Sequence, residues 1–220
     1  DPKAKLVLEA REMWADKREM RQWCADQAEG NYLMMLDADE IWTGLDAWLD
    51  EPPPWGCPRW VNFWHDARHW IHDHGTNAGR RWGYKLEPFG SVCPHYRWSW
   101  WRRSFYFAEH HTPVDVEERP LVTVESNRDA ALRKPDAVIY HLGHAMPRLL
   151  MKVKHAYYEE RDGADKGRVA RRKAWWNWKG ETGETQDGIV EEVTWELPPQ
   201  VNRAFDLIRR AGGSERSPNT

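Results

Sequence analysis

The apolar positions of this chain fall into short runs separated by polar and proline- or glycine-rich stretches, and each run predicts an element. Leu6-Val7-Leu8 reads as a strand. Between Asp16 and Glu29, Met20, Trp23 and Cys24 recur at helical spacing, with Arg18, Glu19, Arg21 and Gln22 set away from them. This predicts an amphipathic helix that packs through its Met/Trp/Cys side and stops at Gly30. Tyr32 to Leu36 has the length and bulk of a buried strand. Gly44 to Leu49 predicts a short helix, ended by Glu51-Pro52-Pro53-Pro54-Trp55-Gly56. Pro58 to Asp73 is rich in strand formers, 75–81 in turn residues, and Tyr96 to Phe107 in interleaved aromatics and arginines. Residues 118–134 read as a loop apart from Leu121 to Val124.

Ala137-Val138-Ile139-Tyr140-His141 is a second apolar strand, followed by Gly143 and by a basic helix from Pro147 to Arg161. Beyond a linker at 163–167, a Trp-rich basic helix is predicted over 168–179 and a polar connection over 180–188. A strand is predicted over 189–197, and a helix from Pro198-Pro199 to Arg210. The tail, 212–220, reads as disordered. Strands interleaved with helices place the chain in the α/β class.

Two strand ends carry candidate chemistry. The first run closes in Asp37-Ala38-Asp39-Glu40. On an extended backbone Asp37 and Asp39 point the same way, and two hard oxygen ligands suit Mg²⁺ or Mn²⁺ shared with a phosphate. Ligands of open α/β sheets bind outside the carboxyl ends of strands. The second run delivers His141, with His144 close behind. Arg102, Arg103, Lys152 and Lys154 are further cations that can meet a phosphate. His65, His69 and His72 share a face if helical, as a metal site would need. If the segment is a strand, His65 and His69 share one face, and Trp64, Trp70 and His72 the other. No His-Glu-x-x-His pattern is present, and a polar strand face or acceptor-site wall is the reading taken.

Composition narrows the classes. A net charge of -3 argues against a general nucleic-acid binder. No apolar run is long enough to span a bilayer, and a cytoplasmic setting is expected. The three cysteines, Cys24, Cys57 and Cys93, form no Cys-x-x-Cys and indicate neither a zinc ribbon nor a disulfide framework. The 16 Trp fit either a core or stacking platforms for sugars.

Helix, Gly30, apolar strand and Asp37-Ala38-Asp39-Glu40 together resemble the family 2 glycosyltransferases of GT-A fold. Arg21 stands at the family's helix-opening Arg, Gly30 at its Gly, and Asp37 and Asp39 at its Asp-x-Asp motif. Gln22 stands where the family has Asn. The strand ending in His141 before a Gly and a basic helix resembles the family's C-terminal portion. The resemblance covers about residues 1–160. It implies a GT-A-like mixed sheet flanked by helices, N-terminally truncated because two βα units of the family would precede Leu6. A catalytic region over 1–165 would be followed by a helix-strand-helix extension over 166–211 and the tail over 212–220.

The activity implied is transfer of a sugar from a nucleotide-diphosphate donor to an acceptor hydroxyl on a glycan, lipid-linked or protein acceptor. Transfer would be inverting and would depend on Mn²⁺ or Mg²⁺ held by Asp37, Asp39 and His141. Asp37 can also face the donor ribose, and Arg21, Arg102, His144 and Lys152 would line the donor site. The base that takes the acceptor proton would be an acid downstream of the motif, and Glu109 and Asp115 are the candidates by order. Glu40 can orient the ion indirectly. Two other readings use the same residues. A metal-dependent nuclease or phosphotransferase would use the acidic strand end, and a non-catalytic, Trp-rich carbohydrate-binding module would not need it.

Overall fold

A computed structural model describes residues 17–53, 55–73, 83–93, 98–100, 106–109, 112–114, 117, 121, 123–162, 166–185 and 188–211. The strand expected at Leu6-Val7-Leu8, the tail, and the candidates Arg102, Arg103 and Asp115 lie outside these residues. Glu109 is described through its backbone alone.

The fold is mixed α/β, built on a seven-stranded mixed sheet with helices on both faces. Its centre is the parallel pair β4 (Arg59–Phe63) and β10 (Val138–His141). β10 pairs on its other side with antiparallel β2 (Glu40–Thr43). The other edge of β4 is shared. β5 (His69–His72) pairs with its Asn62 end and β6 (Ser91–Val92) with its Arg59 end. β12 (Ile189–Glu192) and β11 (Gly183–Glu184) extend the sheet beyond β5. A smaller sheet orders β1 (Tyr32–Met34), β7 (Trp98–Trp100) and β3 (Trp55–Gly56), and β8 (Tyr106–Glu109) pairs with β9 (Thr112–Val114).

Every residue of β4 and β5 is buried, as expected of central strands covered on both faces. On one face Val61, Phe63, Val138 and Tyr140 pack against Val201 and Phe205 of α6 (Pro199–Ala211). On the other, Ile71 and Val190 pack with Met151 of α4 (Arg148–Asp162) and Trp175 of α5 (Lys166–Asn177). Residues 166–211 therefore contribute strands and covering helices to the same sheet.

Several expectations from the sequence are corrected. The helix α1 (Lys17–Asp26) turns Arg21 and Ala25 inward and leaves Cys24 exposed. The guanidinium goes inside because a carboxylate meets it there, which an apolar count does not register. The stretch at 118–134 is not mainly loop, since α3 occupies Val124–Arg133. Thr123 caps it by accepting from the Ser126 amide, and the Ser126 hydroxyl accepts from the Thr123 amide. β12 stops at Glu192, short of the expected Leu197, and the following loop carries Trp195 to stack on Phe89 with ring centroids 4.8 Å apart. The His-rich segment is a hairpin of β4 and β5, with His65 at the turn in a left-handed conformation, φ 66°.

The short helix expected after Gly44 is α2 (Leu45–Asp50). Gly44 has φ 66°, and a Cβ there would sit 2.1 Å from the Asp136 carbonyl oxygen, so only glycine fits. Among the described residues no helix is long and apolar enough to cross a membrane.

Candidate functional site

The candidate site sits at the carboxyl end of β10, on the face covered by α4. β1 ends at Met34, and the acidic residues after it form a turn instead of continuing the strand. The Glu40 amide donates to the Asp37 carbonyl at 3.0 Å, closing a four-residue turn. The Glu40 carboxylate reaches back and accepts from the Asp37 amide, also at 3.0 Å. Glu40 is therefore buried as a brace of its own turn.

The turn sends the two aspartates apart, which corrects the expectation that they face one way. Asp37 accepts from the Arg21 guanidinium of α1 at 3.0 Å. Asp39 faces β10 and α4. The reason it meets His141 is register: His141 pairs directly opposite Glu40, and the Leu142 amide donates to the Asp39 carbonyl at 2.7 Å. The Asp39 Oδ2 lies 3.7 Å from His141 Nε2 and 3.1 Å from Lys154 Nζ. Lys154 also donates to the Gly143 carbonyl at 2.8 Å. Helical spacing brings Lys154 here, because Met151, three residues earlier on α4, is fully buried against the sheet.

Burial by itself would raise the Asp39 carboxyl, but the charges of His141 and Lys154 and the Lys154 hydrogen bond hold it below its ordinary range. The carboxylate is thus an anion between an ammonium and an imidazole. Gly143 permits this approach. A Cβ on it would stand 2.5 Å from Asp39 Oδ2 and 2.7 Å from the His141 ring. The chain turns at this glycine as expected, the Ala145 amide donating to the Leu142 carbonyl at 2.9 Å, and the missing side chain also leaves room.

The structure brings together Asp39 and His141, with the His144 ring 5.7 Å from that of His141. The His144 carbonyl accepts from the His65 amide at 3.0 Å and from Trp175 Nε1 at 2.8 Å, tying the site to α5. Arg21 is present through Asp37 and not through Asp39. Lys152 is exposed on α4 and makes no ion pair among the described residues, while Lys154 on the same helix takes the place beside Asp39.

A divalent ion of the Mg²⁺ type asks for near-octahedral oxygen ligands at about 2.1 Å. The residues present do not fit one as arranged. Asp37 is turned to Arg21, and Asp39 is engaged by an ammonium. Among the described residues no three His, Cys, Asp or Glu side chains gather as a metal site would need.

Sequence reasoning missed a second cluster beside this one. The His65 ring stacks on Trp175 at 4.1 Å and on Trp178 at 4.5 Å, and Trp178 meets the edge of His69 at 4.8 Å. The Trp-rich pattern at 175–178 was the available signal, but nothing local pairs it with the β4–β5 turn. It also missed Glu191, whose carboxylate holds Lys85 at 2.9 Å and lies 3.2 Å from His72. No family model matches the chain, and neither a curated protein nor a solved structure does.

Proposed function

We infer that the chain is a GT-A-like glycosyltransferase, moving a sugar from a nucleotide-diphosphate donor to an acceptor hydroxyl. One observation carries the reading. Asp39 of the Asp-Ala-Asp-Glu turn and His141 of the second strand end, far apart in sequence, meet at 3.7 Å at the carboxyl end of a parallel strand pair. That is where an α/β sheet places its ligands.

In the reaction the acceptor oxygen bonds to the anomeric carbon. The bond from that carbon to the phosphate oxygen breaks, and its electron pair stays on the diphosphate. The acceptor proton passes to a carboxylate, with Glu109 and Asp115 the candidates by chain order. Cationic groups fixed around the departing diphosphate lower the barrier because they need no rearrangement as charge develops. Lys154 supplies such a group here and His141 a second when protonated, with the Asp39 carboxylate facing both.

The test is release of nucleoside diphosphate from UDP- and GDP-sugars in the presence of a mixed glycan acceptor. Asp39→Asn is expected to lower the rate by about a hundredfold. Release no greater than a protein-free blank would defeat the reading. Cleavage of DNA or RNA with Mg²⁺ would move the site to the nuclease class, and sugar binding that survives Asp39→Ala without turnover would mark a carbohydrate-binding module.

A further inference from the structure

Resting on the transferase reading, we propose that Lys154 supplies the positive charge for the donor diphosphate in the place where a divalent ion would otherwise stand. Asp39 already has two partners. Its Oδ2 has Lys154 Nζ at 3.1 Å and His141 Nε2 at 3.7 Å. An ion bound to that oxygen would have to share it with the ammonium. The second aspartate of the motif offers no help, because its carboxylate is held by the buried Arg21.

Lys154 is built into this position. The Gly143 carbonyl accepts from it at 2.8 Å, and Met151 anchors the preceding turn of α4 in the core. An ammonium has three N–H donors. Two are taken by Asp39 and Gly143, and among the described residues the third has no acceptor. The Lys154 side chain keeps a relative exposure of 20% and that of Asp39 21%, so a ligand can reach the group from one side. A phosphate oxygen is the acceptor that fits. It is anionic, it accepts the remaining N–H, and His141 stands beside it as a second donor when protonated.

Asp39 then has a different task from a metal ligand. It offsets the ammonium in the empty site and holds it in place, so that charge is arranged before the donor arrives. The Asp-x-Asp pattern survives with its two members divided between two cations of the chain itself: Arg21 for Asp37, Lys154 for Asp39.

Inorganic pyrophosphate is the probe, since it carries the diphosphate charge and needs no base pocket. Calorimetry on the 220-residue chain should show binding in the presence of a chelator. Lys154→Met should weaken it by about tenfold or more, the loss of one charge-assisted hydrogen bond, and Lys154→Arg should retain most of it. Thermal melts of both variants check that α4 remains folded. Paramagnetic resonance of Mn²⁺ mixed with the wild-type chain should show the free-ion signal undiminished.

Three results would overturn the proposal: pyrophosphate binding only when Mn²⁺ is added, a Mn²⁺ site in the wild type that Asp39→Asn removes, or chelator-resistant binding that Lys154→Met leaves intact. Absence of pyrophosphate binding in every buffer would overturn it as well. Sugar transfer that requires Mn²⁺ would sink this proposal and leave the transferase reading standing.

Discussion

At the scale of single residues, the two aspartates of the motif have separate work. The Asp37 carboxylate is more than a third exposed, but its partner Arg21 has a side chain only 2% exposed. Removing the charge on Asp37 would therefore take an ion-pair partner from a buried guanidinium, which costs more than losing an exposed pair. Asp37→Asn keeps the shape and is expected to lower unfolding free energy by about 1–2 kcal/mol. It should leave turnover at the Asp39 end within about threefold of wild type, because Asp39 faces Lys154 and His141 while Asp37 faces Arg21. Urea denaturation and the nucleotide-release assay measure the two effects. Loss of turnover without loss of stability would show that Asp37 faces the donor, as the resemblance implied. The direction of these side chains was not legible in the sequence. An extended Asp-Ala-Asp puts both on one side, and it is Glu40 reaching back to the Asp37 amide that turns them apart.

At the scale of elements, the second strand end was the easiest to read. Ala137 to His141 is apolar and bounded, Gly143 follows at once, and α4 begins within a residue of Pro147. What could not be read was the pairing that makes it a site. β2 joins β10 in a register that sets Glu40 opposite His141, a contact between distant segments with no local mark. α3 escaped notice for the opposite reason. Its buried positions are Asn127, Ala130 and Ala131, too small and polar to make an apolar stripe, while its start is marked by a hydroxyl at both ends of the capping box. That cap carries a prediction. Thr123→Ala removes the acceptor for the Ser126 amide and is expected to cost about 1 kcal/mol. Thr123→Ser should recover most of it. Because α3 packs Ala130 against Trp48 and Ala137 beneath the edge of the main sheet, the loss should appear in the global denaturation curve. A loss confined to α3 amide exchange, with an unchanged midpoint, would show that this helix folds independently of the sheet.

At the scale of the whole molecule, the sheet is closed on its second face by α5, and the closure runs through one titratable side chain. His65 is clamped between Trp175 and Trp178, its Nε2 bonds the Trp175 carbonyl at 2.7 Å, and its amide bonds His144. Burial pushes the ring down to about 4. The carbonyl bond and the Asp66 charge oppose this, and Arg148 and His69 add to it. The unfolded chain therefore takes a proton at this ring below about pH 6.5, while the folded chain takes one only near pH 4. Between those values the unfolded state binds more protons, so stability falls as the pH is lowered through this window and levels off beneath it. The His65 share is about 2 kcal/mol, allowing for the solvent that reaches the ring. Asn tolerates the left-handed backbone that His65 adopts, so His65→Asn removes the titration without forcing the turn. The variant should be less stable than wild type at pH 7, where the stacking on two tryptophans is lost. The gap between the two proteins should then narrow steadily toward pH 4, as the wild type alone pays for keeping a neutral ring. Parallel stability curves for the two proteins across that range would show that His65 titrates in the fold as it does in water. The clamp between α5 and the sheet would then owe nothing to its burial.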